Sequence, residues 1–81
     1  MIRLTLYSKK NCWLCDMAEE MINGIIEKYD IKITKVAIDS DEELYEMYRY
    51  DIPVVEFSDG STLHGRIRKT DLIRKLEENK G

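Results

Sequence analysis

Cys12-Trp13-Leu14-Cys15 holds both cysteines of an 81-residue chain and sits where one structural period gives way to another. Before it, Ile2, Leu4 and Leu6 alternate with Arg3, Thr5 and Tyr7, the two-residue period of a strand. After it, Leu14, Met17, Ala18, Met21, Ile22, Ile25, Ile26 and Tyr29 recur at steps of three and one. That spacing predicts a helix to about Tyr29 with one buried face. Ser8-Lys9-Lys10-Asn11 reads as a polar loop, with Asn11 the predicted N-cap. Two thiols separated by two residues lie on one helical turn, close enough to form a small disulfide. A thiolate at a helix N-terminus is stabilised by unpaired backbone N–H groups and by the positive end of the macrodipole. The stretch therefore reads as a dithiol–disulfide exchange site.

Composition agrees with that reading. The chain is 43% hydrophobic and 36% charged, the balance of a globular domain with one core, expected over residues 1–81. Its net charge of -3, with both signs interspersed, gives no footprint for general nucleic-acid binding. No apolar run approaches the roughly 20 residues of a membrane span. The first residues are too short and too alternating for a signal peptide, so a cytoplasmic location is expected. Two cysteines are too few for a disulfide scaffold, and in a reducing compartment a close pair points to chemistry.

Beyond the first helix, Gly24 interrupts the pattern at about 1 kcal/mol relative to alanine, and close packing against a strand would account for it. Asp30 ends the helix. Ile31-Lys32-Ile33-Thr34-Lys35-Val36-Ala37-Ile38 follows as a β-branched strand. Its alternation slips between Lys35 and Val36, which predicts a bulge or a change in the covered face. Ser40-Asp41-Glu42-Glu43 reads as a capping box, with Ser40 at N-cap, ahead of a short helix whose expected inner face is Leu44, Met47 and Tyr48. Pro53 opens the apolar strand Val54-Val55-Glu56-Phe57. Asp59-Gly60 is a hairpin signal, so Thr62-Leu63-His64 should return antiparallel. A basic connection at residues 65–69 leads to a last helix carrying Leu72, Ile73 and Leu76, with Thr70 the expected cap. The order is β-α-β-α-β-β-α, and its first crossover must be right-handed.

That order, with Cys-x-x-Cys at the first strand–helix junction and a proline opening the third strand, resembles the thioredoxin fold. Within it the chain is most similar to the glutaredoxin-like branch. Leu6-Tyr7-Ser8-Lys9-Lys10-Asn11-Cys12 is similar to the tyrosine, serine and lysine that precede the first glutaredoxin cysteine. Ile52-Pro53-Val54-Val55 falls at that family's cis-proline position. The resemblance covers nearly the whole chain. It implies an α/β domain with a four-stranded mixed sheet flanked by helices, and a thiol–disulfide oxidoreductase acting on protein or mixed disulfides.

The resemblance also assigns roles. Cys12, nearest the helix end and beside Lys9 and Lys10, is the expected nucleophile, with a pKa below the free value of about 8.5. Cys15, one turn inside, is the expected resolving thiol. A cis bond at Pro53 would turn the Ile52 carbonyl and N–H toward an extended substrate. Trp13 is a candidate partner contact, the alternative being a ring folded onto its own surface. Arg66 is a candidate for holding a carboxylate. His64, the lone histidine, reads as a hydrogen-bonded structural residue, and Tyr45, Tyr48 and Tyr50 as core and rim packing.

The chain departs from the family twice. Trp13-Leu14 replaces the usual Pro-Tyr pair, and Gly65-Arg66-Ile67-Arg68 lacks the second glycine and the acid of the glutathione-binding Gly-Gly-x-Asp signature. The expected electron donor is therefore either glutathione or a thioredoxin-reductase-type protein, with no tightly bound cofactor and no metal in a monomer. Two other classes use the same residues. One is a dimeric zinc or iron–sulfur site shared between two cysteine pairs. The other is a non-catalytic binding module.

Overall fold

The alternating apolar residues after Met1 form β1 (Ile2–Ser8), in a computed structural model that describes residues 1–80. The single domain expected over residues 1–81 is thus described except for Gly81, which lies outside the described residues. α1 (Trp13–Asn23), β2 (Ile31–Ala37), α2 (Glu42–Tyr48), β3 (Val54–Phe57), β4 (Thr62–His64) and α3 (Lys69–Glu78) follow in the expected order, with one 3-10 turn at Ile38–Ser40. The sheet order is β2-β1-β3-β4. β1 and β2 are parallel, while β3 is antiparallel to both β1 and β4, so β4 runs in the direction of β1. This is the mixed sheet of the thioredoxin fold.

The core lies on one face of that sheet. Leu4 and Leu6 of β1 stand opposite Phe57 and Val55 of β3, and Ala18 and Ile22 of α1 and Leu72 and Leu76 of α3 cover them. Each fully buried leucine there contributes about 1.5–3 kcal/mol of transfer free energy. No helix among the described residues is long and apolar enough to cross a membrane.

Several boundaries differ from expectation. α1 stops at Asn23, six residues short of Tyr29, because Gly24 is its C-cap rather than an interruption. A Cβ at Gly24 would meet only the Glu20 and Met21 carbonyls at 3.5 Å, so no strand packs closely against it. Turns continue to Asp30, whose φ of 52° reverses the chain into β2, and Ile25 remains buried within them. β2 contains no bulge: its pairing with β1 runs unbroken from Ile2↔Ile31 to Ser8↔Ala37. The slip in alternation instead marks where cover changes. Lys35 pairs with Leu6 on the core face of an edge strand, is exposed, and donates from Nζ to Glu19 Oε2 at 2.7 Å.

α2 is capped by Asp41, not Ser40. Asp41 Oδ1 accepts the Glu43 and Leu44 N–H groups at 2.8 and 3.4 Å, while Ser40 Oγ donates to the Ala37 carbonyl and closes the 3-10 turn. Of its expected inner face, Leu44 and Tyr48 are half-buried, but Met47 is 61% exposed. α3 begins two residues earlier than expected, with Arg68 at N-cap and no side-chain cap, and Thr70 lies inside the helix.

Candidate redox site

Polar loop residues carry the chain from the end of β1 into α1. Asn11 adopts φ 61°, a left-handed conformation that asparagine tolerates better than most residues, so it turns the chain instead of capping the helix. The cap is Cys12. Its backbone is extended, and its Sγ accepts the Cys15 N–H at 3.2 Å, the place a serine or aspartate oxygen usually occupies. The Cys12 carbonyl accepts the Asp16 N–H at 3.1 Å and starts the helical ladder. Cys12 and Cys15 are joined as a disulfide with Cα atoms 5.2 Å apart. The two sulfurs are inequivalent: Cys12 is half-buried, whereas Cys15 is 2% exposed.

In the reduced state, the N–H aimed at Cys12 and the helix N-terminus both favour a thiolate. Asp16, in the first turn, opposes them with a carboxylate. Lys9 is exposed, and its Nζ lies 5.8 Å from the Tyr45 ring centroid, which directs its charge toward α2.

Sheet topology brings three other segments to the same end. The register Tyr7↔Val54 puts Pro53 beside the loop that follows β1, and Val54↔His64 delivers Gly65 and Arg66 next to it. The Gly65 N–H, in a residue with φ 70°, donates to both the Asp51 and Pro53 carbonyls at 3.1 and 3.0 Å. Pro53 is fully buried immediately before β3, an inner strand of the sheet, and the Ile52–Pro53 bond is cis. One expected feature is corrected. The Ile52 N–H donates to the Tyr48 carbonyl at 3.0 Å, so it is already used and only the Ile52 carbonyl accepts nothing among the described residues.

Trp13 is 65% exposed, so its ring is not folded onto the surface. Arg66 and His64 are also exposed, and neither makes a side-chain hydrogen bond or ion pair among the described residues. The polar cluster behind the site escaped sequence reasoning. Tyr7 Oη donates to Glu56 Oε1 at 3.0 Å, and the Tyr7 and Tyr48 ring centroids are 4.7 Å apart. Burial, then the hydrogen bond to Glu56 and its charge, raise the Tyr7 phenol above its ordinary value. Alternation could have found the Tyr7–Glu56 pair, because both point away from the core face of adjacent strands.

A sequence model described as Glutaredoxin-like domain (DUF836) matches residues 3–77. Among solved structures, the chain is similar to the structural-genomics target XcR50 from X. campestris. The two share 29% identity over 93% of this chain and 96% of that one, with a TM-score of 0.79. A point-mutant thioredoxin from Halobacterium salinarum superposes with a TM-score of 0.79 at 21% identity, covering 99% of this chain and 75% of its own. Thioredoxin O2 from Arabidopsis thaliana, in its oxidised state, gives 0.77 at 18% identity, with 100% and 76% covered. These last two likenesses are of fold. Together with the cysteine pair, the family match supports thiol redox activity. The chain belongs to the glutaredoxin-like domain family (DUF836) and carries its Cys-x-x-Cys pair at the N-terminus of α1.

Proposed function

We propose that this protein is a thiol–disulfide oxidoreductase that reduces protein or mixed disulfides, with Cys12 as nucleophile and Cys15 as resolving thiol. The observation that carries the reading is the inequivalence of the pair. Cys12 is the more accessible of the two residues and its Sγ accepts the Cys15 N–H, while Cys15 is buried one turn inside the helix. In the reduced protein the Cys12 thiolate attacks one sulfur of the target. The target S–S bond breaks, and its other sulfur leaves as a thiolate that is protonated by solvent. Cys15, after losing its proton, attacks Cys12 Sγ and expels the second target thiol. Two electrons have then passed to the target, and the Cys12–Cys15 disulfide is restored. Two glutathione molecules, or a thioredoxin-reductase-type protein, return the pair to the dithiol.

The flanking residues supply substrate contacts in this scheme. The Ile52 carbonyl, held beside Pro53, accepts a substrate N–H; Trp13 offers an apolar anchor; Lys9 and Arg66 add positive charge at the rim. We place the protein in the cytoplasm as a monomer, where a reducing pool keeps such a dithiol available. Comparing glutathione with a thioredoxin reductase as donor to the oxidised protein identifies the reductant. The reading itself is tested by substitution at the two cysteines. Cys12→Ser should abolish reduction of a protein disulfide, and Cys15→Ser should accumulate a mixed disulfide visible by mass. Full dithiol-dependent activity in Cys12→Ser would refute it.

A further inference from the structure

The helical period of α1 suggests that Met17 belongs to the core, yet Met17 is 40% exposed. It lies four residues after Trp13, so the two side chains share one face of α1 and form an apolar strip that starts beside Cys12. Asp16 and Glu20, both exposed, border the strip at the adjoining helical positions. Neither has an ion-pair partner among the described residues, whereas Glu19, on the side facing β2, is paired with Lys35. α1 contains no lysine or arginine. Gly24, at the far end of the same face, carries no side chain to block it.

Resting on the oxidoreductase reading above, we infer that this strip is the docking face for the polypeptide flanking the target disulfide. Its occupant carries an apolar side chain with lysine or arginine beside it. Three observations select that chemistry. The strip is continuous with the redox site, because Trp13 follows Cys12 directly. The apolar surface of Trp13 and Met17 gains by burial. Asp16 and Glu20 present unneutralised negative charge that a basic segment complements. A second copy of this chain is a poor occupant, since two such strips would bring like charges together.

The test uses prereduced protein in single-turnover reactions with two synthetic peptides, each closed by one disulfide. They are identical except that Leu-Lys-Lys or Leu-Glu-Glu follows the second cysteine. Hydroxyethyl disulfide, too small to reach the strip, reports the chemistry alone. The second-order rate constant for the lysine peptide should exceed that for the glutamate peptide by about tenfold at low salt, with most of the difference lost near 1 M salt. Glu20→Lys should erase most of this preference. Met17→Ser should slow both peptides by about fivefold. Both variants should reduce hydroxyethyl disulfide at the unaltered rate, which also shows that they are folded. Equal rates for the two peptides, with hydroxyethyl disulfide reduced normally, would overturn the docking inference alone. No reduction of hydroxyethyl disulfide by the unaltered protein would overturn the oxidoreductase reading, and the inference with it. A self-associated species in sedimentation that Met17→Ser dissolves would assign the strip to a second copy and also overturn it.

Discussion

On one face of the sheet, Leu4, Leu6, Val55 and Phe57 meet α1 and α3, and none of the four exceeds 3% exposure. On the other face, Tyr7 and Glu56 meet through a phenol–carboxylate hydrogen bond, Tyr48 lies against Tyr7, and α2 buries none of its own residues. The first face is closed by apolar packing and holds the fold together. The second is half-open and mixed, with Val54 buried beside the polar pair, and it holds the Pro53 segment through the bond from the Ile52 N–H to the Tyr48 carbonyl. Stability thus rests mainly on one side of the sheet, and the redox pair sits at the end of β1 where α1 begins.

Three substitutions probe that contrast, in descending size of effect. Leu76→Ala, on the closed face, removes a side chain with 0% exposure and should cost about 2–5 kcal/mol in chemical denaturation. A loss below about 1 kcal/mol would mean that α3 is not part of the working core. Tyr7→Phe, on the open face, deletes one partly buried hydrogen bond and should cost about 1 kcal/mol at neutral pH. It should also alter the alkaline limb. The folded phenol ionises above its ordinary value of 10.0, so the unfolded chain releases the proton first. Tyr7's contribution is therefore complete below about pH 10 and falls as pH rises toward the folded value. Tyr7→Phe should lose less stability than the unaltered protein across that interval, and parallel curves would remove the Tyr7–Glu56 coupling. Met47→Ser, at a position 61% exposed, should stay within about 0.5 kcal/mol. A larger loss would place α2's expected inner face back in contact with the sheet.

The same contrast explains what could be read from the residues in order. The closed face was legible because Ile2, Leu4 and Leu6, and again Ala18 and Ile22, repeat with the periods of their elements. The hairpin was legible from Asp59-Gly60, where Gly60 takes φ 86°. Helix starts were not, because neighbouring residues compete for one capping position. Ser40 and Asp41 are both good caps, and Ser40 is used in the preceding turn; Asn11 turns the chain, so the cap falls to Cys12. Met17 departs from its expected place for a geometric reason. Apolar positions alternating by three and one residues cover a broad arc, and its margin rolls out to solvent beside Trp13. The cysteine pair was visible at once, and its place one turn inside the helix made Cys15 the expected less exposed thiol; it is 2% exposed, against a half-buried Cys12. The sequence alone also left the Ile52 N–H available, since its partner, the Tyr48 carbonyl, is supplied by a turn.

That depth difference underlies the central claim, and competitive alkylation tests it most directly. Reduced protein is treated near neutral pH with less than one equivalent of iodoacetamide, and the labelled cysteine is located by peptide mass. Cys12 should carry nearly all the label, because its sulfur is reachable and its thiolate is favoured at the helix N-terminus, whereas Cys15 is 2% exposed. Equal labelling of the two cysteines, or preferential labelling of Cys15, would contradict the assignment of Cys12 as the nucleophile.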